Sequence, residues 1–377
     1  MIKIPWKNCG TPATPLGNCG KMQLCKFYAG KKVLVTGHTG FKGSWLCRIL
    51  HLLGAETYGY SLNPPTEPNL YEIARVDEIL TSVLGDTRDF EKISAFHEEV
   101  SPDIVIHLAA QPIVREGYRI PRETYEINVM GTVNILESIR MNGVTKSFLN
   151  VTTDKVYDNL ENPDHRYCEN DRLDGYDPYS NSKSCSELVT HSYCRSFFSS
   201  KQCALSTARA GNVIGGGDFS PNRIVPDCVR SAILKKPILV RNPNSVRPYQ
   251  HVLEPLFSYL EICARQYLDN SVAGNYNIGP NESDCLTTGG LVNLFCKYWG
   301  EGLKWTSTKE EGPHEANYLK LDNNLLRDRF GIEPQWDIST AISKTVDWTK
   351  KWQDGEDMAR YTDEQISDYL KMRGELV

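Results

Sequence analysis

Lys31-Lys32-Val33-Leu34-Val35-Thr36-Gly37-His38-Thr39-Gly40-Phe41-Lys42-Gly43 decides the fold. An apolar, β-branched run leads into three glycines spaced i, i+3 and i+6. Leu46, Ile49, Leu50 and Leu53 then recur at helical spacing until Gly54. Strand, tight turn and helix in that order make a dinucleotide cradle. Gly37 permits the turn, Gly40 lets a pyrophosphate approach bare backbone, and Gly43 lets helix and strand pack closely. Unpaired N–H groups and the positive end of the helix dipole face the phosphates. Thr39, Phe41 and Lys42 belong to the same loop and are assigned with the glycines to the cofactor.

Downstream, Glu56 to Leu62 is a second strand. NAD-binding units place an acid at the end of this strand, about 20 residues past the glycines, to hold the ribose hydroxyl. Here that place is Asn63, flanked by two prolines, and no Arg or Lys stands in to favour a 2′-phosphate. NAD is therefore expected over NADP. Ser82 to Leu84 is a third strand with a polar end, where Asp86 is equally an acceptor for an adenine amino group and a loop cap. Asp103 to Ala110 is a continuous apolar strand, as a strand covered on both faces must be. The neighbouring Leu108, Ala109 and Ala110 leave room for a cofactor at its carboxyl end. A helix is predicted over Tyr125 to Arg140, and a further strand over Lys146 to Thr153.

This alternation predicts an α/β fold with a doubly wound parallel sheet of the Rossmann type and a smaller mixed C-terminal substrate lobe. The expected division is a flexible tail over 1–26, an NAD-binding domain over 27–216, and a substrate-binding lobe over 217–377. That lobe is interleaved with the last sheet strands.

Composition narrows the function. At 377 residues with 40% hydrophobic and 24% charged content, the chain is an ordinary globular protein. A formal net charge of -5 argues against nucleic acid as a partner. No apolar run is long enough for a membrane helix, and residues 1–26 lack the pattern of a signal peptide. The twelve cysteines are scattered without CxxC pairs or zinc spacing. They are expected to be reduced cytoplasmic thiols, with no metal site.

Two stretches carry the chemistry. Asn150-Val151-Thr152-Thr153-Asp154-Lys155 leaves the sheet at its carboxyl end, so Thr153, Asp154 and Lys155 face the nicotinamide region. Tyr176-Asp177-Pro178-Tyr179-Ser180-Asn181-Ser182-Lys183 opens a helix that puts Tyr179 and Lys183 on one face at i and i+4. A nearby ammonium and the positive cofactor ring are expected to lower the phenol's pKa and make Tyr179 a base. The pair Tyr28 and Lys32 has the same spacing but runs into the first strand, so it is a chance match.

Together Thr36-Gly37, Gly40, Gly43, His107-Leu108-Ala109-Ala110, Asn128, Gly131-Thr132, Tyr179 and Lys183 closely resemble the extended short-chain dehydrogenase/reductases that act on nucleotide sugars. Within that group, the 4,6-dehydratases of CDP-sugars are resembled by Gly37 to Trp45, Tyr176 to Lys183, Arg209-Ala210-Gly211-Asn212-Val213-Ile214-Gly215-Gly216-Gly217-Asp218, Arg247 to Val252 and Pro313-His314-Glu315-Ala316. The resemblance implies a CDP-sugar substrate, NAD as cofactor, deoxysugar synthesis as the reaction, and a homodimer. It gives Tyr179 the 4-hydroxyl proton, Lys183 the nicotinamide ribose, and Thr153 the 4-oxygen. Asp154 matches the acid of the elimination, and Lys155 stands where related dehydratases carry Glu. An epimerase or ketoreductase of the same fold needs the tyrosine and lysine but no acid after the threonine. Arg209, Asn212, Arg247 and His314 are expected at the diphosphate and sugar, since the guanidinium fork suits phosphate. Singly, each is equally an ion-pair residue.

Overall fold

The computed structural model describes residues 22–198, 202–307 and 318–375. Its centre is a seven-stranded, all-parallel sheet made of β1 (Lys32–Thr36), β2 (Glu56–Ser61), β3 (Thr81–Leu84), β4 (Ile104–His107), β5 (Ser147–Val151), β6 (Ala204–Ala210) and a last strand, Asn275–Ile278. Their order is Asn275–Ile278, β6, β5, β4, β1, β2, β3, so the direction of winding reverses between β1 and β4. Ligands of open parallel sheets lie in the crevice at that reversal, beyond the carboxyl ends of the strands. β4 and β5 are buried along their whole length, as their apolar runs require.

Several local expectations shift. The fourth strand stops at His107 because beyond it Leu108 N and Ala109 N turn to Thr36, bonding its carbonyl (3.1 Å) and its hydroxyl (3.2 Å). The helix predicted over Tyr125 to Arg140 is Pro121–Tyr125, a π-helical turn Glu126–Met130 and Gly131–Asn142. In the wider turn Asn128 donates to the Gln111 carbonyl (3.1 Å) and to Ser182 Oγ (2.9 Å). Part of the stretch expected as a tail is folded: helix Leu24–Tyr28 buries Leu24, whose N–H donates to Glu375 Oε2 (2.7 Å). Residues 1–21 lie outside the described residues.

The C-terminal half is interleaved with the sheet. It supplies the last strand and the almost wholly buried helix Leu253–Leu268, which packs in the main core with residues of β1, β5 and β6. A second core gathers Val225, Val229, Ile238, Leu291, Phe295 and Ile342 around short strand pairs such as Ile238–Val240 with Trp305–Ser307. No helix among the described residues is long and apolar enough to cross a membrane.

Candidate active site

The glycine loop has the geometry its spacing predicts. Gly37 has φ +77°, and a Cβ there would lie 2.8 Å from Ala109 N, so β1 and β4 meet too closely for a side chain. A Cβ on Gly43 would sit 2.2 Å from the Gly37 carbonyl oxygen, which fixes the close packing of helix Phe41–Leu52. At Gly40 a Cβ would meet only that oxygen at 3.4 Å, leaving the backbone open on its outer side. No side chain caps the helix, so its first N–H groups are available to an anion. A pyrophosphate fits these residues. Thr39 braces the loop from behind, through Ser61 Oγ (2.8 Å) and the Leu62 carbonyl (2.8 Å).

Around the rim, Asn63 is exposed just past β2, where a ribose acceptor is expected. Asp86 accepts from Arg88 N (2.9 Å) and pairs with the Arg88 guanidinium (2.6 Å), which holds its carboxyl below the usual range. Leu108, Ala109 and Ala110 are half-buried beside Gly37.

Beyond β5 the chain tightens into a single 3-10 turn, Asp154–Val156, capped by Thr153. Thr153 Oγ1 donates to Asp154 Oδ1 (3.0 Å), and Lys155 Nζ lies 3.3 Å from the same oxygen. Lys155 also reaches Asn212 Oδ1 (3.4 Å). Asp154 is fully buried, yet its Oδ2 has no hydrogen-bond partner. A buried carboxyl oxygen left open is costly unless a ligand meets it.

Asp177 starts helix Pro178–Phe197, its carboxylate accepting from Tyr179 N (3.0 Å) and Ser180 N (3.1 Å) with Pro178 in the first turn. This cap aims Tyr179 at Thr153, to which its phenol is hydrogen-bonded. Lys183, one turn on, is buried and donates to the Val151 carbonyl (3.1 Å). Burial lowers its pKa to about 8, opposed by the Glu187 carboxylate. The expected fall in the tyrosine's pKa is not met in the chain itself. Burial raises Tyr179 to about 12, outweighing its hydrogen bond with Thr153 and the charge of Arg223.

Thr153, Asp154, Lys155, Tyr179, Lys183 and Asn212 thus converge, while Arg209 departs from expectation. It is fully buried, with Nε and Nη2 on Glu187 (3.0 and 2.9 Å) and Nη1 on Tyr157 and the Glu169 carbonyl (2.9 Å each). Its donors face the protein, so a substrate phosphate cannot use them. Arg247 is buried on strand Val246–Arg247, close to Tyr249, which is itself hydrogen-bonded to Asn212. His314 lies outside the described residues.

Two further cations bear on this centre: Arg223, which the sequence left unassigned, and Lys42, which it assigned to the cofactor alone. Arg223, at the residue before helix Ile224–Ile233, pairs with Asp218 (3.4 Å), and its charge bears on both Tyr179 and Lys42. The Asn222-Arg223 pair after the glycine run was its only signal. Lys42 faces the centre too: burial, then Arg223 and Lys183, lower its pKa to about 7, with Asp154 opposing. Its ammonium lies 6.0 Å from the Tyr259 ring centroid.

This fold and site define an NAD-dependent enzyme of nucleotide sugars. The chain belongs to the NAD dependent epimerase/dehydratase family, whose model matches residues 33–279. It is 45% identical over 350 residues to the CDP-glucose 4,6-dehydratase of Salmonella typhimurium, covering 91% of this chain and 97% of that protein. To the dTDP-glucose 4,6-dehydratase of Streptomyces antibioticus it is 29% identical, covering 84% and 91%. Its fold matches a crystal structure of dTDP-glucose 4,6-dehydratase from Bacillus anthracis in complex with NAD, with TM-score 0.72, 21% identity and coverage of 88% and 100%.

Proposed function

We propose that this chain is a CDP-glucose 4,6-dehydratase, converting CDP-glucose to CDP-4-keto-6-deoxyglucose with net loss of one water. The observation that carries the reading is the open Oδ2 of buried Asp154, set beside a tyrosine–threonine pair at the rim of a dinucleotide cradle. An epimerase or ketoreductase needs no such acid.

NAD, when bound, supplies an acceptor for the C4 hydride and gives that hydride back at C6. The glycine loop and the first turn of helix Phe41–Leu52 hold its pyrophosphate, and Lys183 holds its nicotinamide ribose. Tyr179 Oη takes the 4-hydroxyl proton. The Arg223 charge favours its ionised form, and Thr153 steadies the 4-oxygen. The C4 ketone then acidifies the C5 proton. Lys155 Nζ removes that proton while Asp154 Oδ2 protonates the departing 6-hydroxyl, breaking the C6–O bond and releasing water. As C6 is reduced, the proton on Lys155 returns to C5, and the proton that Tyr179 took from the 4-hydroxyl passes to Asp154, so every protein group regains its starting state. Asn212, hydrogen-bonded to Lys155, and Arg247 lie towards the sugar and diphosphate.

We place this enzyme in the cytoplasm as a homodimer. The buried Cys47, Cys203, Cys228 and Cys263 fit a reducing compartment, where thiols serve as small apolar side chains. Pairing through Gly131–Asn142 and Pro178–Phe197 is supported by exposed Met141, Leu188 and Phe197 on those helices.

The test is incubation with CDP-glucose and mass analysis of the product. Loss of one water with no net cofactor consumption is expected. A C4 epimer of unchanged mass overturns the reading.

A further inference from the structure

Helix Pro178–Phe197 meets β5 through a seam of polar side chains. Asn150 Nδ2 donates to Ser186 Oγ (2.8 Å) and Thr190 Oγ1 (2.9 Å). Lys183 takes the Val151 carbonyl, and the Thr152 hydroxyl donates to Glu187 Oε1. The last two residues of β5 and the one that follows them are therefore held by Lys183, Ser186, Glu187 and Thr190, which share one helical face. Glu187 extends the seam to β6, accepting from Thr207 Oγ1 (2.7 Å) and from both Nε and Nη2 of Arg209. Glu187 and Arg209 are both fully buried.

The chemistry of this contact differs from ordinary helix–sheet packing. Apolar contact is non-directional and tolerates small slides, whereas hydrogen bonds fix distance and angle. Thr153 and Asp154 follow directly on Thr152, and Tyr179 lies two turns before Glu187 on the same helix. Any slip of helix against strand would change the spacing between phenol, hydroxyl and carboxyl.

We propose that Glu187, backed by Arg209, is the positioning residue of the catalytic centre, holding Thr152, and through it Thr153 and Asp154, in register with Tyr179 and Lys183. The inference rests on the dehydratase reading for the identity of the reacting groups. It also accounts for the burial of Arg209 away from substrate. Glu187 has a second effect, on charge. Lys183 faces Glu187 on its own helix, His107 from β4 and Lys42 from the glycine-loop helix. Of these only Glu187 favours the ammonium, so without it Lys183 loses its proton at lower pH.

Two variants test the proposal against wild-type enzyme. Thr152→Val exchanges one hydroxyl for a methyl group and cuts the link from Glu187 to β5. The double variant Glu187→Met with Arg209→Met removes both charges together, an exchange that buried ion pairs often tolerate. For the double variant, kcat is expected to fall about 10²-fold, with KM for the nucleotide sugar held within about threefold, as misplacement of reacting groups predicts. Its alkaline limb of kcat should move to lower pH. Thr152→Val should lower kcat about tenfold at unchanged KM, by the same misplacement. A lower melting temperature with kcat and the pH limb unchanged would overturn the proposal. If the double variant does not fold, unchanged kcat in Thr152→Val overturns it alone. A wild-type enzyme that oxidises its sugar without dehydrating it refutes the activity instead, and the same ratios are then read on that oxidation.

Discussion

Lys42→Met should stabilise the cofactor-free protein while weakening its hold on NAD. Lys42 stands in the first turn of a helix whose N-terminus already carries partial positive charge, and Arg223, Lys183 and Lys155 add to that field. Holding the ammonium at about 7 against the usual 10.5 sets a ceiling of roughly 5 kcal/mol on the cost of charging it, at about 1.4 kcal/mol per tenfold change in proton affinity. The side chain is only partly enclosed, and screening by water reduces the expected cost to about 2 kcal/mol. The sign follows from proton counts. Below about pH 7 the lysine is charged whether folded or not, and the penalty is fully felt. Between about pH 7 and 10.5 the unfolded chain holds the proton more strongly, so native stability climbs with pH until the penalty is gone. Urea denaturation of cofactor-free protein at about pH 6 should give a higher midpoint for Lys42→Met than for wild type, and the gap should narrow at about pH 9. NAD affinity should fall about tenfold, the worth of one charge-assisted contact. A variant that is less stable than wild type at the lower pH and keeps the same climb with pH would refute the reasoning.

Gly43→Ala forces a Cβ to within 2.2 Å of the Gly37 oxygen, so fluorescence titration should show NAD binding largely lost, with a melting-curve destabilisation of about 1–3 kcal/mol, typical of overpacking. Tyr179→Phe should lower kcat by about 10²–10⁴-fold in steady-state kinetics, the usual worth of a general base, with KM little changed. Asp154→Asn should separate the two halves of the reaction: reduced cofactor accumulates in the absorbance trace while loss of water, read by mass, fails.

The parts of the fold set by near neighbours were legible in the chain itself. The glycine loop, the buried strands and the helix bearing Tyr179 and Lys183 each depend on residues a few positions apart, and each stands where its spacing places it. What escaped depends on distant partners. Arg209 looks like a phosphate ligand until Glu187, on another element, claims its guanidinium. The π-helical turn at Asn128 answers to Gln111 and Ser182, which no helical periodicity registers. For Tyr179, burial by the whole fold outweighs the adjacent charge in the chain without its cofactor, and no local spacing registers that burial. The inward face of Lys42 was hidden for the same reason, since its neighbours Arg223 and Lys183 come from remote segments.

The hydrogen bond from Leu24 to Glu375 joins the first described helix to the stretch just past the last one, Met358–Met372, in a single buckle, with Tyr28 fastened to the Leu260 carbonyl (2.9 Å) beside it. Trimming either side opens the other: a cut past Leu24 strands a buried carboxylate, and a cut before Glu375 leaves the opening helix without its clasp. A short peptide splice could bridge the two, turning the polypeptide into a ring that can be reopened elsewhere.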